Sequence, residues 1–411
     1  MKYLIKLKLK WLAKLYLWRF KPKIIGITGS VGKTSTKDAI YLALRDKLNV
    51  RASEKSYNNE IGLPLTIMGY QSPAKKVFLW PLVFIKGLIN LFSIKDYPDV
   101  LILEMGSDKP GDLEKLVNIA HPNISIITRI AQSHFQAFES MKKLIREKSI
   151  LVRVLEDKDW AILNSDDKNL EKLGRKLSCR VLFFGLNQES QIYASDIKID
   201  TKGLSFKINY KNQTYPINIL GVGEHIIYII LAAFTVGMVL GLKPENLIKA
   251  LSEFKPLAGR GRILQGKNKI LIVDESYNAS PSSMKVALKF LRQKKWHGRK
   301  IAILGDMKEL GSLSKKYHLK LAQWVRFIDL VVLVGEESRS TFNKLIKSGF
   351  KTLYYEKVED LIKDLDKILL PEDLVLVKGS QAIRLEKAVE LLLSSIYNPK
   401  DVLVRQEKEW K

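Results

Sequence analysis

The stretch Lys23-Ile-Ile-Gly-Ile-Thr-Gly-Ser-Val-Gly-Lys-Thr-Ser35 decides how the rest of the chain is read. Ile24, Ile25 and Ile27 form the end of a buried strand. Gly26, Gly29 and Gly32 follow, and Lys33-Thr34-Ser35 open a helical pattern that runs to about Leu48. A glycine-rich turn between strand and helix aims backbone N–H groups of residues such as Ser30 at one spot. The helix N-terminus and the Lys33 ammonium add positive potential there. A triphosphate fits that environment, with Thr34 placed to hold Mg²⁺. The strict P-loop pattern has glycine five residues before Gly32, where this chain has Ile27, so the loop is a shortened variant. An ordinary glycine-rich turn is the alternative, but strand, glycines, Lys-Thr pair and helix coincide here.

Composition sets the frame around this loop. With 411 residues and 46% hydrophobic content, the chain can bury two or three domain cores. Its single cysteine, Cys179, excludes an internal disulfide and a cysteine-built zinc site, which fits a reducing cytosol. Lys and Arg number 69 against 43 Asp and Glu, a net charge of +26. That excess suits nucleotide substrates or a membrane surface. No zinc finger or other nucleic-acid motif is present to favour nucleic acid.

Upstream of the loop, residues 1–22 read as a basic N-terminal helix. Lysines and Arg19 alternate with Leu4, Leu7, Trp11, Leu15 and Trp18. The segment lacks the apolar run of a spanning helix and reads either as a helix lying in a membrane interface or as one packed on the protein body. A second unusual stretch, VFLWPLVFIKGLINLFSI (77–94), is interrupted by Pro81, Lys86, Gly87 and Asn90. It reads as a membrane-dipping or interfacial element, or as one buried at an interface.

Downstream, Asp99-Val-Leu-Ile-Leu-Glu104 is a buried strand ending in a carboxylate, where a P-loop protein binds the Mg²⁺ of its nucleotide. His134 follows the next strand (124–128), and Lys148 lies on a helix over 141–155. By local pattern alone either is more ordinarily structural. Short alternating runs over 180–220 indicate a small antiparallel insert. Past the glycine-rich, basic stretch Pro256–Arg262, strands and helices alternate again. Strands fall near 270–273, 300–304, 330–334, 351–354 and 374–377, and helices near 281–293, 314–326, 338–347, 357–369 and 382–396. The fold class is therefore α/β, a P-loop ATPase-like domain with a parallel sheet and antiparallel insert over 23–256. A second, Rossmann-like parallel α/β domain follows over 257–400, with a tail over 401–411. Its strand ends carry Asp274, Asp306 and Lys378, where open α/β sheets place ligands.

These residues resemble the Mur ligases, ATP-dependent amide-forming enzymes of peptidoglycan precursor synthesis. The resemblance covers roughly residues 23 to 395, and Thr28-Gly-Ser-Val-Gly-Lys-Thr34 is similar to the shortened P-loop of that family. The chain looks most like the MurF type, which adds D-alanyl-D-alanine to a UDP-linked tripeptide. Four stretches carry this: Asn58-Asn-Glu-Ile-Gly-Leu-Pro64, Glu104-Met-Gly-Ser-Asp-Lys-Pro-Gly111, Asp274-Glu-Ser-Tyr-Asn-Ala-Ser-Pro281 and Leu304-Gly-Asp-Met-Lys-Glu-Leu-Gly311.

The resemblance implies a function for single residues. Gly29, Ser30, Gly32, Lys33, Thr34 and Ser35 would cradle the phosphates of ATP. Thr34 and Glu104 would hold one Mg²⁺, and His134 and Lys148 a second, with Lys148 carbamylated by CO₂. Arg260 would reach the phosphates, and Asp274 would help a mobile third domain close over ATP about a hinge at Pro256–Arg262. Asn58, Asn59, Tyr277, Asn278 and Lys378 become substrate candidates. His225-Ile-Ile-Tyr-Ile229 stands where the family has His-Asn-x-x-Asn, which changes the adenine contact, and Ser280 and Gln381 replace the commoner Asn and Arg. The family's N-terminal UDP-sugar domain is not seen ahead of the loop. The expected function is a MurF-like ligase in the cytoplasm at the inner face of the membrane. A ligase of lipid-linked or other envelope acceptors is the alternative, as is a Mur-like subunit completed by a partner chain.

Overall fold

The computed structural model describes residues 2–53, 57–73, 77–131, 138–200 and 203–406. The strands are β1 (Lys23–Thr28), β2 (Val50–Ala52), β3 (Val100–Glu104), β4 (Ile124–Ile127), β5 (Trp160–Asn164), β6 (Arg180–Gly185), β7 (Ile192–Asp200), β8 (Gly203–Tyr210), β9 (Gln213–Ile219), β10 (Arg262–Gln265), β11 (Leu271–Glu275), β12 (Lys300–Gly305), β13 (Leu330–Val334), β14 (Thr352–Tyr355) and β15 (Leu374–Lys378). The helices are α1 (Lys2–Phe20), α2 (Lys33–Leu44), α3 (Gly62–Met68), α4 (Trp80–Ser93), α5 (Asp112–Val117), α6 (Met141–Arg153), α7 (Lys168–Gly174), α8 (Glu224–Val239), α9 (Pro244–Ser252), α10 (Pro281–Gln293), α11 (Ser314–Trp324), α12 (Arg339–Lys347), α13 (Val358–Ile368), α14 (Glu386–Leu392) and α15 (Pro399–Val402).

The chain divides into two compact units. The first takes Met1–Ile197, Phe206–Ile217 and Ile227–Phe254; the second takes Lys198–Ser205, Asn218–Ile226 and Lys255–Lys411. Among the described residues the first sheet has nine strands in the order β2-β3-β1-β4-β5-β6-β7-β8-β9. Its pairs from β2 to β7 are parallel. The strand that feeds the glycine loop is thus interior, flanked by β3 and β4. Its uninterrupted Ile-rich run follows from burial on both faces, as parallel sheets require. Strands β7 to β9, anticipated as a small insert, continue the same sheet.

Helix α1 belongs to the first unit. Leu9, Ala13 and Tyr16 are fully buried in a core shared with Leu63, Met68, Trp80 and Leu91. Tyr16 donates from its hydroxyl to the Gly87 carbonyl at 2.7 Å. A Cβ at Gly87 would stand 2.7 Å from Leu12 Cδ2, so glycine there lets α1 and α4 close on each other.

The second unit holds a six-stranded sheet, β10-β11-β15-β12-β13-β14. All its pairings are parallel except the β10–β11 edge. Helix α10 starts where Ser280 and Ser283 form a reciprocal capping box, with Pro281 at the first turn. The stretch Pro256–Arg262, the expected hinge, is bonded into this unit. Val222 N–H donates to the Gly261 carbonyl at 2.9 Å, and Arg262 Nε donates to the Pro256 carbonyl at 2.7 Å.

Candidate active site

The loop between β1 and α2 takes backbone that only glycine adopts freely. Gly29 has φ 144° and Gly32 has φ 82°. A Cβ on Gly29 would lie 2.1 Å from Thr128 Oγ1, so the position is closed to other residues. The loop is tied to the end of β4 from several directions. Ser30 N–H donates to the Arg129 carbonyl at 2.8 Å, Ser30 Oγ donates to the Ala131 carbonyl at 2.9 Å, and Thr128 Oγ1 donates to the Val31 carbonyl at 2.6 Å. Gly32 caps α2 without a side chain. The first-turn N–H groups of this helix, 12 residues long, meet no capping side chain from Gly32, and the helix dipole favours an anion at that end. Lys33 folds back over the loop and donates from Nζ to the Gly29 carbonyl at 2.9 Å.

Glu104, 2% exposed, stands at the carboxyl end of β3 beside the loop strand, its backbone opposite Ile27. One carboxylate oxygen accepts from Thr34 Oγ1 at 2.9 Å, and the other accepts from Asn58 Nδ2 at 3.2 Å. A carboxylate and a hydroxyl at a phosphate-binding loop are the hard oxygen donors that Mg²⁺ prefers. Thr34 and Glu104 therefore fit a Mg²⁺ bound with its nucleotide. Among the described residues no cluster of three or more His, Cys, Asp or Glu occurs, so the fit rests on this mixed pair.

Lys148 is 3% exposed on α6. Its Nζ donates to Ser107 Oγ at 2.7 Å and to the Ser107 carbonyl at 3.3 Å. Burial, and next the charge of Lys33, pull its pKa down to about 8. The adjacent Glu147 accepts backbone N–H groups of Gly111 and Leu113, both at 2.8 Å, fixing α6 to the loop after β3. Ser107 and Glu147 were missed from sequence; for Ser107 the polar run after Glu104 was the available signal. His134 lies outside the described residues.

Asn58 also lines a pocket of 360 Å³ with Lys6, Asp108, Lys109 and Lys115. Asn59 lines it too, but its Oδ1 accepts from Ile61 N–H and Gly62 N–H, both at 3.0 Å, at the head of α3.

The remaining candidates fall in the second unit. Asp274 is fully buried at the end of β11. Its carboxylate accepts from Gly259 N–H at 3.0 Å and Ser276 N–H at 3.1 Å, and burial pushes its pKa up. The neighbouring Arg260 lays its guanidinium 4.2 Å from the centre of the Tyr277 ring. Lys378, 1% exposed, donates from Nζ to Glu275 Oε2 at 3.0 Å and to the Asn278 carbonyl at 2.9 Å. Asn278 and His225 are exposed.

A buried parallel strand, a glycine loop and a helix, with a carboxylate on the next strand, define a P-loop nucleotide-binding protein. A second α/β unit follows it. The family model of the Mur ligase middle domain matches residues 27–79 and 86–237, and that of the Mur ligase glutamate ligase domain matches residues 259–381. The chain is 29% identical over 391 residues to the UDP-N-acetylmuramoyl-tripeptide--D-alanyl-D-alanine ligase of Bacillus subtilis, covering 94% of this chain and 79% of that protein. It is 30% identical over 376 residues to the enzyme of the same name from Rickettsia prowazekii, covering 90% and 78%. The crystal structure of MurF ligase from Thermotoga maritima in complex with ADP superposes with a TM-score of 0.77 at 26% identity, covering 93% of this chain and 82% of that one. MurF from Acinetobacter baumannii, at 22% identity and TM-score 0.78, shares the fold. The chain belongs to the Mur ligase family. It is a MurF-like, ATP-dependent, ADP-forming ligase.

Proposed function

We propose that this ligase joins a UDP-N-acetylmuramoyl-tripeptide carboxylate to the amine of D-alanyl-D-alanine. The observation that carries the reading is the Thr34 Oγ1–Glu104 pair at 2.9 Å, joined through Asn58 to the neighbouring pocket. In the reaction, an acceptor carboxylate oxygen attacks the γ-phosphorus of ATP. The bond from that phosphorus to the bridging oxygen breaks, and ADP leaves an acyl phosphate. The amine nitrogen then attacks the acyl carbon, loses a proton, and phosphate departs. The N–H groups around Gly29, Ser30, Gly32 and Ser35, with the Lys33 ammonium, bind and neutralise the moving phosphoryl group. Mg²⁺, when bound at Thr34 and Glu104, supplies further positive charge to the β- and γ-phosphates.

Lys148 has a second role in this reading. An amine held at about 8 has a free base fraction near neutral pH that reacts with CO₂. The resulting carbamate has the oxygens needed, with His134, for a second Mg²⁺. In the second unit, Arg260 and His225 are the candidates for binding ATP, and Tyr277, Asn278 and Lys378 those for substrate. Asp274 acts through Arg260, because its carboxylate holds Gly259.

One observation favours a second acceptor. Lys6 of α1 lines the pocket, so a helix that also carries an outward apolar row helps shape the acceptor site. A lipid-linked acceptor processed at the cytoplasmic face of the membrane suits that arrangement.

ADP release by the purified chain tests both. Release requiring UDP-N-acetylmuramoyl-tripeptide and D-alanyl-D-alanine together supports the first reading. Release only with a lipid-linked acceptor supports the second. Lys33→Ala should abolish release in either case while leaving the circular dichroism spectrum and melting temperature unchanged; undiminished turnover would remove the P-loop assignment.

A further inference from the structure

Helix α1 has two opposite apolar sides. Leu9, Leu12, Ala13 and Tyr16 are buried, whereas Leu4, Leu7, Trp11 and Trp18 are exposed, Trp11 by 62% and Trp18 by 74%. At about 100° per residue the exposed four fall within roughly 60° of one another. Lys14 borders that row on one side, and Lys8 and Arg19 border it on the other. Helix α4 repeats the arrangement. It buries Trp80, Gly87 and Leu91 and exposes Leu82, Ile85, Leu88, Ile89 and Phe92, the last by 69%.

The two outward rows are neighbours. Arg19 of α1 places its guanidinium 5.5 Å from the Phe92 ring of α4, and Lys8 places its ammonium 5.7 Å from the Phe84 ring. The patch carries charge of one sign. No acidic residue occurs between Met1 and Lys37, or between Ile61 and Lys95. No helix among the described residues is long and apolar enough to cross a membrane.

We propose that the α1–α4 face docks in the interface of an anionic lipid bilayer. Trp11, Trp18, Ile85 and Phe92 enter the boundary between headgroups and acyl chains. Lys8, Lys14, Arg19 and Lys86 extend along the apolar surface to lipid phosphates. Charge selects this occupant over a second copy of the chain, because a self-paired face would set lysines against lysines. Exposed Trp beside Leu and Ile, rimmed by Lys, matches an interface that is apolar below and anionic above. This inference needs no catalytic reading.

The test is sedimentation of the full chain with phosphatidylglycerol vesicles and, separately, phosphatidylcholine vesicles, without nucleotide. The expected result is co-sedimentation with phosphatidylglycerol alone, weakened by added salt. Combined Trp11→Ser, Ile85→Ser and Phe92→Ser should reduce binding by roughly tenfold or more, as should combined Lys14→Glu and Arg19→Glu. All five positions are exposed, so the melting temperature should hold. A chain that remains in the supernatant with both vesicles overturns the proposal, as does equal binding to both. So does a native dimer in analytical ultracentrifugation that the serine variant splits, which would assign the face to a second copy. Lys33→Ala binds vesicles like the native chain if the inference is right, so its failure and that of the ligase reading are separable.

Discussion

Glu104 and Asp274 are both acids at the carboxyl end of a buried parallel strand, each followed by a polar run, and in sequence they look alike. Their surroundings differ. The Glu104 carboxylate is met by side chains, the Thr34 hydroxyl and the Asn58 amide, which can yield to a ligand. The Asp274 carboxylate is met by the backbone N–H groups of Gly259 and Ser276, which are part of the fold. A strand-end acid answered by side chains is available for chemistry; one answered by backbone holds a turn in shape.

Substitutions can break that contrast. Glu104→Ala should lower the ligation rate roughly 10²- to 10³-fold, with a melting temperature within about 2 °C of native. A large loss of stability instead would make Glu104 structural. Asp274→Ala leaves two buried N–H groups without an acceptor, so it should cost about 2–4 kcal/mol in denaturant unfolding. Full stability in that variant would erase the distinction.

Lys148 sharpens the comparison by a smaller effect. Its amine is buried and holds fewer protons when folded than when unfolded between about 8 and the ordinary 10.5. Stability contributed by this group therefore rises with pH across that window, and is lowest below 8. Lys148→Met should remove this rise, which amounts to about 3 kcal/mol at most. Parallel stability–pH profiles for the two proteins would show that Lys148 is not desolvated. A residue kept at such a cost is a candidate for function on energetic grounds.

Much of this was legible in the sequence, and the reasons differ by place. The strand over 330–334 and the helix over 281–293 match the structure residue for residue. The strand is an unbroken apolar run, and the helix has a serine cap and a proline start. Strand β10 was hidden because four residues following a glycine-rich stretch carry too little pattern, and its antiparallel pairing with β11 is a tertiary fact. The apolar residues of helix α1 serve two opposite surfaces, so no single stripe emerges in its sequence. Within the site, the loop and Glu104 announced themselves by spacing. Ser107, which receives the Lys148 amine, did not, because a serine after a strand has many ordinary uses.

The interior position of β1 has a kinetic consequence. Lys23 pairs with Val100 and Ile25 with Ile124, so the strand that carries the glycine loop cannot complete its ladders until the chain past residue 127 has been made. At about 5–20 residues per second of synthesis, that wait lasts roughly 5–20 s. Through that interval the nascent segment carries Ile24, Ile25 and Ile27, all buried in the finished fold, without their flanking strands. The lysines spaced through it then act as gatekeepers against self-association before any ligand is met.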